Sequence, residues 1–185
     1  MMRYPTECVL KECQEVVIRP LALNDESLLR RFFDEIPEAD RWYMRYDVND
    51  AGVIKKWFEH IDSDTVDSII ALCGDRIIGS GSLHVRGFGS TRHVGRFRII
   101  IHPEFRLQRL GTWITLDLVQ LGIEKGLEML RTDLVVGLED VAIDAVRKLD
   151  FIKRAEIKDY ARDPEGNQHN LAVMIKRLHR GWGDF

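Results

Sequence analysis

The stretch from Phe97 to Thr112, FRIIIHPEFRLQRLGT, constrains this chain more than any other. Phe97 to Ile101 is a short apolar run rich in β-branched residues, which suits a buried strand. Pro103 cannot donate to a sheet ladder and restricts His102 before it, so the strand is predicted to stop there. From Thr112 to Gly126 apolar residues recur at helical spacing, with Gly126 placed to end the helix. A strand, a tight polar loop and a helix start, in that order, make a place to hold an anion. The first N–H groups of a helix lack internal partners, and its dipole puts partial positive charge there. Arg106 and Arg109 add full charges. On charge alone they would be a surface patch; the strand–loop–helix context makes them candidates for binding.

The rest of the composition sets limits around this junction. A chain of 185 residues can build one good core, so 1–185 reads as a single domain with its core over about 16–178. A net charge of −3 gives no broad pull toward nucleic acid or an acidic membrane. No apolar run approaches the roughly 18 residues of a membrane-spanning helix. Cys8, Cys13 and Cys73 are odd in number and form no C-x-x-C pair, which suggests reduced thiols and a cytoplasmic setting. The six histidines have no metal-ligand spacing, so no metal site is expected.

Read in order, residues 1–15 are weakly patterned and Val16 to Ile18 is a strand. Asn24 or Asp25 can cap a helix with Leu28, Leu29, Phe32 and Phe33 on one face, stopped at Ile36-Pro37. The linker Glu38 to Asp47 carries Trp42, Tyr43, Met44 and Tyr46, which could line a groove but are expected to close over the core. Asn49 or Asp50 caps a second helix with Val53, Ile54, Trp57, Phe58 and Ile61 along one side. Ile69–Cys73 and Arg76–Val85 form a hairpin around Gly74-Asp75, with Gly79 and Gly81 marking a bulge or a close backbone approach. After the Gly87 loop come the strand His93–Ile101, the Thr112 helix, a strand at Leu134–Val136 and a helix from Glu139. Phe151–Tyr160 and Leu171–Ile175 close the chain as a hairpin. The sum is an α/β fold with a mixed, mostly antiparallel sheet flanked by helices.

This order of elements resembles that of the GCN5-related N-acetyltransferase family, the acyl-CoA N-acyltransferase fold. The family's pyrophosphate loop, Arg/Gln-x-x-Gly-x-Gly/Ala, aligns with Arg106-Leu107-Gln108-Arg109-Leu110-Gly111, after an apolar-x-Pro-acidic-aromatic lead-in at Ile101 to Phe105. The resemblance implies acetyl-CoA or coenzyme A as substrate, with pantetheine along Ile99, Ile100 and Ile101. Pyrophosphate would lie on Arg106, Leu107, Gln108, Arg109, Leu110, Gly111 and Thr112. Arg109 stands where the pattern has its first glycine. In an ordinary right-handed first turn, which is the expectation, it can still donate its amide and pair its guanidinium with phosphate. At positive φ it would be strained. A second departure is Val146 at the position of the family's frequent tyrosine, its usual general acid.

The resemblance implies an N-acyltransferase joining an acetyl group to an amine of a small molecule, peptide or protein. Candidates for proton transfer are His93, His84, Glu104 and Glu139 as base and Tyr160 as replacement acid. A non-catalytic acyl-CoA sensor and a relic fold that binds no coenzyme are the competing readings. Trp57 and Trp182 suit a homodimer surface as well as a core.

Overall fold

The structure is a computed structural model that describes residues 4–10, 15–59, 61 and 63–178. Its strands are β1 (Thr6–Cys8), β2 (Val16–Pro20), β3 (Val66–Cys73), β4 (Arg76–His84), β5 (Val94–Ile101), β6 (Met129–Val135), β7 (Ile152–Arg162) and β8 (Gln168–Arg177). Its α-helices are α1 (Glu26–Glu35), α2 (Glu38–Arg41), α3 (Ala51–Glu59), α4 (Leu110–Glu124) and α5 (Asp140–Arg147). The strands form one sheet in the order β1-β2-β3-β4-β5-β6-β8-β7. β1–β2, β2–β3, β6–β8 and β7–β8 are antiparallel, and β5–β6 is parallel. The expected mixed α/β sheet is borne out. The chain forms two compact units, Met1–Ser82 with Arg98–Ile114, and Leu83–Phe97 with Thr115–Phe185.

In the first unit, α1 buries Leu29, Phe32 and Phe33 while α3 buries Ile54 and Phe58. These pack with Ile70, Ile77 and Ile100 of the strands into one apolar cluster. The rings of Phe32 and Phe33 lie 5.3 Å apart. Trp57 joins that cluster, 6.1 Å from Phe33, and its indole N–H donates to Ser68 Oγ at 2.8 Å. Trp57 therefore belongs to the core; Trp182 lies outside the described residues. Met44 and Val48 also join the cluster, but Trp42 and Tyr46 are about half exposed, contrary to the expectation that the linker aromatics close over it. Asp50 is the cap of α3, accepting the Gly52 amide at 2.7 Å. Asp25 precedes α1 without capping it: its carboxylate turns back to Ala22 N–H at 2.8 Å and to Arg19.

In the second unit, Phe97 meets Phe151 edge-on at 5.4 Å. A Cβ on Gly95 would stand within 2.9 Å of Leu83, Leu127 and Leu130, so only glycine lets β5 pack there. Gly126 ends α4 at φ 74°, where glycine carries no Cβ penalty. In the turn between β7 and β8, the bond from His169 holds the Asp163 carboxyl down to about 2, helped by Asn167.

One expectation about the cysteines fails. Cys8 is a buried free thiol, whereas Cys73 is disulfide-bonded to a partner outside the described residues. An odd count leaves room for one pair, so parity did not exclude it. The disulfide removes the reason for which the sequence suggested the cytoplasm. Among the described residues no helix is long and apolar enough to cross a membrane.

Candidate functional site

The strand–loop–helix junction lies wholly within the first unit. β5 ends at Ile101, one turn of 3-10 helix covers Pro103–Phe105, and α4 starts at Leu110, two residues earlier than the spacing implied. Alternation along β5 sends Ile100 into the core cluster. A Cβ on Gly111 would meet Ile101 Cδ1 at 3.0 Å, and one on Gly79 would meet Ile114 Cδ1 at 3.0 Å and Leu110 Cδ2 at 3.3 Å. Gly79 is thus a close approach, as the sequence suggested, and the two glycines let the first turn of α4 sit down on the strands.

Between Arg106 and Leu110 the backbone does something the sequence pattern did not foresee. Leu107 and Arg109 both have positive φ, 59° and 68°. Arg109 is therefore not in a right-handed first turn, and the expectation stated for it is corrected. Each such residue costs about 1–2 kcal/mol of local strain. Among the described residues, the amides of Leu107, Gln108, Arg109 and Leu110 donate to no group of the chain. Successive N–H groups in alternating backbone conformations form a concave anion nest, and here it opens directly onto a helix start. Arg109→Gly is expected to raise stability by about 0.5–1 kcal/mol through relief of that strain, read as an increase in urea midpoint.

Side chains tie the loop to its surroundings. Arg106 Nη2 pairs with Asp40 of α2 at 2.8 Å, and its Nε donates to Ile101 O at 3.2 Å. Gln108 Nε2 donates to Glu104 O at 3.0 Å. Arg76 donates to Glu35 Oε2 at 2.9 Å and to Glu104 Oε2 at 2.9 Å. His102 Nε2 lies 2.9 Å from Arg76 Nη2 and must accept, because a guanidinium only donates. Burial lowers the His102 pKa and the Arg76 charge lowers it further, so the ring is neutral at pH 7.

The sequence candidates for proton transfer fall on different elements of the chain. Glu104 is exposed and ion-paired to Arg76. His84 ends β4, while the carbonyl of His93, just ahead of β5, accepts the amides of Glu128 and Met129. Tyr160 stands exposed on β7. Glu139 Oε2 accepts the Val135 amide at 2.8 Å, and Val146 is buried in α5. Arg76, Glu35, Asp40 and His102 were missed as parts of the site. Their separations, 26 to 66 residues along the chain, leave no local signal.

The model of the Acetyltransferase (GNAT) family matches residues 27–151. The chain belongs to this family. Solved GNAT-type structures superpose over almost their whole length. An acetyltransferase of the GNAT family from Streptococcus pneumoniae is 18% identical with a TM-score of 0.77, covering 89% of this chain and 99% of that one. The structure of yncA from Salmonella typhimurium with its cofactor acetyl-CoA has 14% identity and a TM-score of 0.72, covering 92% and 98%. The ribosomal-protein-alanine N-acetyltransferase of Brucella melitensis has 19% identity and a TM-score of 0.73, covering 87% and 99%. At such identities the likeness is one of fold, and it is the GNAT fold. A comparison with curated proteins gave no significant match.

Proposed function

We propose that this GNAT protein transfers an acetyl group from acetyl-CoA to an amine. The observation that carries the reading is the run of unpartnered amides from Leu107 to Leu110, shaped as a nest at the start of α4. A pyrophosphate would bind on these amides and the following first turn to Thr112, with the Arg109 guanidinium free to join it. The nest suits a diphosphate better than a single carboxylate because it offers several donors in a row.

The register of β5 with β6 runs from Val94–Met129 to Arg96–Arg131, and β5 continues to Ile101 beyond it. In this reading Ile99 to Ile101 lend their backbone to the pantetheine arm. A strand amide there would polarise the thioester carbonyl. The amine nitrogen attacks that carbonyl, the C–N bond forms, the C–S bond breaks, and the amine's proton leaves as the thiolate takes one up. His84, His93 and Tyr160 are the side chains proposed to move these protons, with water as relay. The exposed Trp42 and Tyr46 are proposed to meet the acceptor. A homodimer is compatible with the reading but not required by it.

Acetyl-CoA at a hundred times its Kd is expected to raise Tm by about 5–10 °C. Release of free CoA thiol is then followed over a panel of polyamines, peptide N-termini and lysine side chains. No thermal shift at saturating ligand would exclude coenzyme binding and leave a relic fold. One observation favours a second reading, an acyl-CoA sensor: Val146 is buried where the family often has its acid, and Glu104 and Glu139 are engaged elsewhere. A thermal shift with no turnover across the panel would decide for the sensor.

A further inference from the structure

Two residues at positive φ within four positions persist only where the surroundings over-determine them. What holds the nest in this shape is therefore a question with a structural answer. Arg106 and Gln108 tie the loop to the chain just before it, to Ile101 O and Glu104 O, and Arg106 also pairs with Asp40 of α2, so the placing of the loop depends in part on residues 102–105. That lead-in is gripped from outside by one side chain. Arg76, at the start of β4, gives Nη1 to the Glu104 carboxylate at 2.9 Å and sets Nη2 2.9 Å from His102 Nε2. It also lies 5.7 Å from the centroid of the Phe105 ring, within cation–π range. The same guanidinium, through Nε and Nη2, holds Glu35 Oε2 at 3.1 and 2.9 Å, which fixes it to the end of α1.

Among the described residues this one guanidinium reaches His102, Glu104 and Phe105 together. Without Arg76, two carboxylates, Glu35 and Glu104, would face each other with no cation between them, and the buried His102 nitrogen would lose its donor. The planar fork matters as well as the charge. A lysine ammonium is a point charge and cannot meet two carboxylates, an imidazole and a ring face at once. Among the described residues Arg76 bonds Glu35, His102 and Glu104 and none of residues 107–110.

We propose that Arg76 is a positioning residue for the diphosphate cradle: it clamps His102, Glu104 and Phe105 so that the amides of residues 107–110 converge on one anion. This rests on the reading of the loop as the coenzyme pyrophosphate site. The role predicts a selective defect. A ligand held by the nest should suffer, and a ligand that carries only the thioester arm should not.

The test is calorimetric binding of CoA to the full chain, with S-acetylpantetheine, which lacks the pyrophosphate, titrated in parallel by NMR at millimolar concentration. Arg76→Ala is expected to weaken CoA roughly ten-fold to a hundred-fold, the scale expected when binding groups are misplaced by about an ångström, with the S-acetylpantetheine affinity unchanged. Arg76→Lys, which keeps the charge and the fold but loses the fork, is expected to fall between parent and alanine. Equal losses for both ligands would overturn the proposal in favour of a general structural role, and so would CoA binding by Arg76→Ala at the parent's affinity. If Arg76→Ala does not fold, Arg76→Lys alone decides by the same ratio of the two affinities. Should the parent itself bind no CoA, the reading of the loop falls and the proposal with it. That outcome is separate, because it is seen before any variant is made.

Discussion

Gly79→Val is expected to cost about 2–3 kcal/mol of stability and to weaken acetyl-CoA binding at the same time. A Cβ at this position stands 3.0 Å from Ile114 Cδ1, 3.3 Å from Leu110 Cδ2 and 3.6 Å from the Ile100 carbonyl oxygen. Valine places two more methyl groups beyond that Cβ. Leu110 and Ile114 have 1% and 0% of their surface exposed, so neither can swing into solvent to make room. The first turn of α4 must lift off β4 instead, and the nest runs straight into that turn. Stability would be read from the urea midpoint and affinity from calorimetry. Gly79→Ala, with one methyl, should cost about half as much. A valine variant as stable as the parent would show that α4 has slack the packing does not suggest.

Arg19→Ala is expected to lower stability by about 3–4 kcal/mol, because it strands a buried carboxylate. Asp25 is 2% exposed and receives Arg19 Nη1 at 2.6 Å, Nη2 at 2.8 Å and the Ala22 amide at 2.8 Å. With arginine gone, only the amide is left to balance the charge. The pH dependence gives a second readout. The bond from Arg19 lowers the folded pKa of Asp25 against the opposing effect of burial. The stabilisation is therefore complete above the unfolded value, about 3.9, and is lost as pH falls through the folded value. In Arg19→Ala burial acts without its counterweight, so the acid-side decline should flatten or reverse sign. Urea unfolding from pH 7 to pH 3 would reveal it, and unchanged acid limbs in parent and variant would contradict the assignment.

What the sequence conveyed about the fold was what adjacent residues decide between them. The 3.6-residue stripes of α1 and α3, the hairpin glycine at 74 and the terminating glycine at 126 all act within a few positions. β6 shows where such reading stops. An apolar run suggested a start at Leu134, but the strand begins at Met129, because Leu130, Thr132 and Leu134 face inward with Arg131 and Asp133 between them.

The candidate site was legible in its location and not in its mechanics. The proline, the arginines and Gly111 marked the junction. The positive φ of Arg109 was not legible, since arginine does not advertise that conformation as glycine does. Nor was the clamp of Arg76, whose partners Glu35, His102 and Glu104 are 41, 26 and 28 residues away. Contacts of that span are set by how strands and helices pack, and one sequence read alone contains no trace of them.

The last strand of the sheet bears on the behaviour of many copies together. β7 is one of the sheet's two outer strands and nearly all of its eleven residues are exposed, so its free backbone edge could template growth of one sheet onto another. Its composition and shape work against that. Lys153, Arg154, Glu156, Lys158 and Asp159 crowd charge along it, the register with β8 shifts twice, and Asp159 turns to φ 51°. A bent, charged border cannot lie flat against its own image. The sheet is closed to further strands at this side, which protects a concentrated solution of the protein against aggregation by edge-to-edge pairing at β7.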